Sequence, residues 1–142
     1  MTRIEQRAHI LKLAKDMGVR ISLGHTNRSH MYEKHIQIDS VIKNDKDYAG
    51  ALHELGHQAN RDKDTMSYKL RFLLDPESKE IYPERLKHEI EAWAWAKRNA
   101  IEWNEEMEQE YISAFSSYIH GALHAYGNLD DLLKGIATLK GS

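Results

Sequence analysis

Residues 53 to 57 read His53-Glu54-Leu55-Gly56-His57. Two histidines four apart on a helix lie ~6 Å apart along the axis and only ~40° around it. Both imidazoles can then reach one ion, supplying two of the three protein ligands of a catalytic zinc site. Glu54 stands ~100° further round, too displaced to be an equivalent ligand. It is placed instead to contact water at the open coordination position and take its proton. A chain with nine His and 13 Glu produces this pattern by chance in roughly one sequence of twenty. The plainer reading is two solvent-facing histidines on an amphipathic helix. An apolar opposite face and an alternating strand just upstream weigh against it.

The residues after His57 supply no third ligand. Asn60 and Lys63 stand where the extended His-rich motif needs Gly and His, which excludes that subclass. The candidates lie in Lys87-His88-Glu89-Ile90-Glu91-Ala92-Trp93-Ala94-Trp95-Ala96. On a helix Leu86, Ile90 and Trp93 fall within ~60° of one another and predict a buried stripe. Glu89 stands at the edge of that stripe, whereas Glu91 lies ~160° from it with Lys87 as a surface partner. A carboxylate set against a core needs a cation to meet it. Glu89 is therefore the expected third ligand and His88 the fallback; the alternative for Glu89 is a buried ion pair with an arginine.

The remaining histidines carry less. His120 and His124 repeat the four-residue spacing without a glutamate and read as a helix edge, or alternatively as donors over the active site. His25, His30 and His35 recur every five residues, a spacing that puts no face in common, and read as surface. Tyr82, Tyr111, Tyr118 and Tyr126 are equivalent candidates for an oxyanion donor. Trp93, Trp95 and Trp103 read as packing, and the five glutamates from Glu102 to Glu110 as a solvated helix face.

These side chains need elements to position them. Ile4, Ala8, Leu11 and Ala14 recur at helical spacing over Thr2 to Met17, and Gly18 is a natural stop. Val19 to Leu23 and His35 to Asp39 alternate apolar and polar as half-buried strands do, around a polar stretch from His25 to Lys34. The Asp residues of Asn44-Asp45-Lys46-Asp47 can cap a helix running from about Tyr48 to Asn60, with Ala49, Leu52, Leu55 and Ala59 on its apolar face. Residues Arg61 to Tyr82 hold a charged loop, a short apolar piece (Leu70, Phe72, Leu73, Leu74) and an Asp75-Pro76 turn. Pro83 suits a first helical position in a helix extending to about Trp103. Two more helices fit Glu105 to Tyr126 and Leu129 to Leu139, divided at Gly127-Asn128. Helix, two strands, then helices predict an α+β fold: a mainly helical single domain over residues 1–142 with a small sheet.

Composition bounds the function. Twenty Lys and Arg against 22 Asp and Glu give a net charge of -2, so the chain lacks the overall basic footprint of a nucleic-acid binder. No apolar run approaches the ~18 to 20 residues of a membrane span, and the charged start, Met1 to Arg7, does not read as a secretory signal. Cysteine is absent, which removes thiolate sites and disulfides and is compatible with a reducing cytoplasm.

His53-Glu54-Leu55-Gly56-His57, followed about thirty residues later by Glu89-x-x-Ala92-x-x-Trp95-Ala96, resembles the ImmA/IrrE-like zinc metallopeptidases. There a His-Glu-x-x-His helix precedes one carrying Glu-x-x-Ala-Asn/Asp-x-Phe-Ala. The resemblance spans Ile36 to Ala96. It implies zinc-binding His53 and His57, a catalytic Glu54, a third ligand at Glu89 and a gluzincin-like architecture. It also implies a cytoplasmic setting, often linked to mobile elements and cleavage of repressor proteins. Trp93 occupies the position where the family has Asn or Asp, a polar group that would orient a histidine ligand. The proline that commonly follows the third-ligand helix is also missing, and residues 99–102 read as continuing helix. The chain thus looks like a divergent or minimal member.

The expected function is a zinc metallopeptidase that hydrolyses a peptide bond in a protein or peptide substrate, a regulatory protein among the candidates. The alternatives are a binding module on a zincin-like scaffold, with its metal structural or lost, and a DNA-associated accessory protein, which the mild acidity opposes.

Overall fold

The structure is a computed structural model that describes residues 1–30, 33–38, 41–61 and 66–140, without the side chains of 66, 67 and 138–140. It is α+β: six helices and a three-stranded sheet among the described residues. Helix α1 spans Arg3–Met17, with the Thr2 hydroxyl accepting from the Glu5 N–H. Gly18 ends it at φ 68°, where the Val19 N–H donates to the Ala14 carbonyl and the Gly18 N–H to Lys15. A left-handed residue at that place closes the helix and turns the chain into the sheet. The buried stripe of α1 is Gln6, Ile10 and Ala14; of the expected Ile4, Ala8, Leu11 and Ala14 only Ala14 belongs to it, and Ile4 is 76% and Leu11 63% exposed. Both sets obey the helical period, and what selects between them is where the helix over residues 45–59 lies.

Strands β1 (Arg20–Leu23), β2 (Arg28–Ser29) and β3 (His35–Ile38) form a mixed sheet in the order β1-β3-β2. The chain pairs β1 and β3 in parallel, Ile21 facing Ile36, and folds β2 antiparallel onto the other edge, Ser29 facing Ile36. β2 lies in the stretch read as purely polar; two residues are too few to show alternation. Asp39, expected to end the strand, lies outside the described residues.

Helix α2 (Asp45–Ala59) starts earlier than expected because Asn44 is its cap, accepting from the Asp47 N–H at 2.8 Å, while Asp47 accepts from the Lys43 N–H at 3.0 Å. This reciprocal capping satisfies two N–H groups at once and leaves Asp45 in the first turn. Ala49, Leu52 and Leu55 are buried as expected, Tyr48 is buried with them, and Ala59 is exposed in the last turn. The helix passes through the middle of the molecule, touching α1, β3, and helices α4 (Tyr82–Asn99) and α5 (Glu105–Tyr126).

The apolar piece after it is helix α3 (Met66–Leu74), followed by a turn in which the Ser78 N–H donates to Asp75 and by a 3-10 turn at Lys79–Ile81. The charged loop read at 62–65 falls outside the described residues.

Helix α4 stops at Asn99, not at Trp103. Ala100 is extended (ψ 145°), and the Ile101 N–H turns inward to the Tyr48 hydroxyl at 3.0 Å. Helical propensity through 99–102 yields to that buried bond and to Asn104, which caps α5 by accepting from Met107. Helix α5 ends at Gly127, φ 81°, and α6 spans Leu129–Lys140. Ile10, Ile36, Tyr48, Leu52, Leu55, Trp93 and Met107 form the centre of the core.

Candidate metal centre

The site is built where α2 and α4 touch. Gly56 is buried in α2, and a Cβ there would stand 2.4 Å from the Ala92 carbonyl oxygen of α4. The missing methyl lets the two backbones approach closely, with Ala92 and Ala96 fully buried on the facing stripe. Helix α4 presents Leu86 and Trp93 to the interior as the periodicity predicts, but Ile90 is 51% exposed. The stripe is turned toward Ala92 and Ala96 because the small residues are what α2 can pack against. That rotation leaves Glu91, expected at the surface, half-buried and directs Glu89 at the histidines.

The Nε2 of His53 lies 2.8 Å from Glu89 Oε2, and the Nε2 of His57 lies 3.2 Å from Glu89 Oε1. The ligand atoms offered by His53, His57 and Glu89 all lie within 4.8 Å of one another. A tetrahedral zinc with bonds of ~2.0–2.1 Å places its donors ~3.3–3.5 Å apart, so this set fits such an ion with little adjustment. Glu89 does not pair with an arginine. The fallback His88 lines the same cleft but stands outside the donor group, its Nε2 3.4 Å from Glu84 and its ring tilted against Tyr68.

Electrostatics point the same way. Burial works against charge on His53, yet its hydrogen bonds to Glu54 and Glu89 prevail and its pKa rises from 6.5 to about 9. Burial would raise Glu89, but the two imidazoles hold it well below the usual carboxylate range. The arrangement favours positive charge at its centre.

Glu54 is buried, lines the same cleft, and sets Oε1 3.1 Å from His53 Nδ1, the ring nitrogen remote from Glu89. The indole of Trp93 stacks on the His53 ring, centroids 4.2 Å apart and planes 13° from parallel. That ring stack holds the imidazole where a polar group was expected to do so. The three tryptophans pack in or against the core, as read from the sequence.

The centre opens into a cleft of about 710 Å³ whose walls include Asn27 and Arg28 from the β2 side, Tyr68 and Phe72 of α3, Arg61, Arg85 and Tyr118. Of the four candidate tyrosines only Tyr118 lines it. The Tyr118 hydroxyl is buried without a hydrogen-bond partner, and burial pushes its pKa up while Arg85 draws it down. His120 and His124 are exposed on α5 and do not line the cleft, so the reading that placed them over the site is set aside.

His30 and His35 do share a face, contrary to expectation. The antiparallel return from β2 to β3 stacks their rings 4.3 Å apart, and with Glu33 they form a second group of close donor atoms. Arg20 stands 3.7 Å from Glu33 and 3.5 Å from His35, and Arg28 3.5 Å from His30. Those guanidinium groups oppose a cation there. A five-residue spacing gives no helical or strand face; only the turn between strands brings the rings together.

Comparison with protein-family models, with curated proteins and with solved structures finds no match for this chain. Among the described residues no helix is long and apolar enough to cross a membrane.

Proposed function

We propose that the chain is a zinc-dependent metallopeptidase, a divergent ImmA/IrrE-like enzyme acting on a protein or peptide in the cytoplasm. The observation that carries the reading is the convergence of His53, His57 and Glu89, two imidazoles and one carboxylate, in the lining of an open cleft. Zinc held there supplies Lewis acidity toward a carbonyl and acidifies water at neutral pH. Glu54, on the same cleft wall, is the group that accepts a proton and returns it to the leaving amine. Trp93 sets the tilt of the His53 ring and Glu54 its rotation. The cleft walls, not a deep channel, receive the substrate, which suits an extended segment of a protein. The absence of cysteine suits a reducing compartment.

The contact between Glu54 and His53 Nδ1 favours a second reading, a zincin-like binding or regulatory module in which Glu54 only positions a ligand. One pair of measurements on Glu54→Gln decides. The peptidase reading expects the variant to bind zinc within a few-fold of wild type and to lose cleavage of a peptide library by at least ~100-fold. The module reading expects zinc affinity to fall and no cleavage by either protein. Purified wild type that retains no zinc and gains no activity on adding it overturns the peptidase reading and leaves only a module that has lost its metal.

A further inference from the structure

Helices α2 and α4 run antiparallel through the site. His53 stacks on Trp93 and His57 meets Glu89, so an advance of four residues on α2 matches a retreat of four on α4. Beyond that register, the chain leaving α2 carries Arg61, directly after the Asn60 cap, and α4 carries Arg85 one turn before Glu89. Both line the cleft.

Two guanidinium groups in the wall of one cleft repel, and an anion taken up there relieves that repulsion. Among the described residues neither makes an ion pair with a carboxylate. The Nη1 of Arg61 is buried without a hydrogen-bond partner. Arg85 is held by aromatic faces instead, its Cζ 5.2 Å from the centroid of Tyr118 and 6.0 Å from that of Phe72. Stacking of this kind fixes a guanidinium plane while leaving its N–H fork free for a carboxylate. Glu89, one turn after Arg85 on α4, is taken by the imidazoles, and Glu84 lies against His88. Arg28, exposed on the β2 wall, adds positive charge to the same cleft.

We propose that this end of the cleft is a carboxylate site. Arg61 and Arg85 take a carboxylate of the substrate, an Asp or Glu side chain or a free C-terminus, and so set which bond lies at the metal centre. One helical turn is ~5.4 Å, and an extended peptide advances ~3.3 Å per residue, so the carboxylate belongs one or two residues from the cleaved bond. The inference rests on the peptidase reading for its meaning, but the binding it describes does not need zinc.

The test is fluorescence anisotropy with four dye-labelled hexapeptides on the full chain treated with chelator. Two are C-terminally amidated with a central Glu or Gln, and two are all-Ala, one with a free C-terminus and one amidated. The expected result is at least ~10-fold tighter binding of one charged peptide than of its neutral twin, a preference weakened by salt. Preference for the Glu peptide identifies a side-chain carboxylate, and preference for the free acid a C-terminus. Arg85→Met and Arg61→Met should each abolish the preference with the far-ultraviolet circular dichroism unchanged. If Arg61→Met does not fold, Arg85→Glu decides, since it should disfavour the charged peptide. Equal binding of all four, or a preference that survives loss of Arg85, overturns the proposal. Zinc-supplemented protein separates the two readings: cleavage without acidic preference defeats the carboxylate site alone, and arginine-dependent binding without cleavage defeats the peptidase alone.

Discussion

At the scale of single residues, the centre depends on how three side chains are held before an ion arrives. Glu89 reaches both imidazoles through its two oxygens, and Glu54 takes the other nitrogen of His53. Trp93 presses on the flat of the same ring. An imidazole kept by stacking can slide in its plane, so the hydrogen bond to Glu54 must set its rotation while the indole sets its tilt. Trp93→Ala should therefore weaken zinc binding roughly 10-fold, by the scale of lost supporting contacts around metal ligands. Its removal from the core should also cost about 3–5 kcal/mol of stability. Trp93→Phe should recover most of the affinity, because a smaller ring still offers a face. Competition with a chromogenic chelator measures the first effect and urea unfolding the second; full zinc affinity in Trp93→Ala would remove the stacking argument.

At the scale of elements, the decisive contact is between α2 and α4. The donors sit on two helices whose separation is set by Gly56 against the Ala92 carbonyl. A methyl at that point has backbone in its way, not a side chain that can swing aside. Gly56→Ala gains helix propensity, about 1 kcal/mol, and still should lose stability by about 1–3 kcal/mol through overpacking. Because the helices must part to admit the methyl, zinc affinity should fall in the same variant. A melting temperature at or above wild type would show that α2 and α4 have slack. Much of the element pattern was legible in the chain: Gly18, Gly127 and the alternating runs mark their own boundaries, because capping and strand alternation are local. The errors share a cause. Ile4, Leu11 and Ile90 satisfy a helical period, but a period gives a face only up to rotation, and the neighbour decides which face is inward. The end of α4 was misplaced for a similar reason, since Tyr48, fifty-three residues earlier, takes the N–H of Ile101.

At the scale of the whole molecule, Asp45 ties three helices together. From the first turn of α2 it accepts from Arg3 at 2.5 Å and Gln6 at 2.7 Å, both of α1, and from Asn104, the cap of α5, at 2.7 Å. The Arg3 bond, opposed by desolvation and aided by Asn104 and Gln6, holds its carboxyl below the ordinary value of 3.8. A carboxyl depressed on folding contributes stability that is present above its unfolded pKa and disappears as pH falls through the folded one. Asp45→Asn should accordingly lose about 1 kcal/mol at pH 7, with the difference from wild type shrinking below pH ~4. Urea midpoints at pH 7 and pH 3 check this; a difference that does not shrink in acid would mean that shape, not charge, joins the three helices.

What the sequence determined by itself is the pairing of His53 with His57 and the offset of Glu54, since those relations follow from the pitch of one continuous helix. It also limited the partner to the segment around His88 and Glu89, because an acid at the edge of an apolar stripe marks itself out. Only tertiary structure decided that Glu89 points at the imidazoles, that Trp93 lies on one of them, that Tyr118 is the one of the four candidate tyrosines to line the cleft, and that Arg61 and Arg85 line it together. Each of these joins residues of separate elements. The angle and distance between elements come from interlocking surfaces such as Gly56 on Ala92, which no periodicity within a single segment encodes.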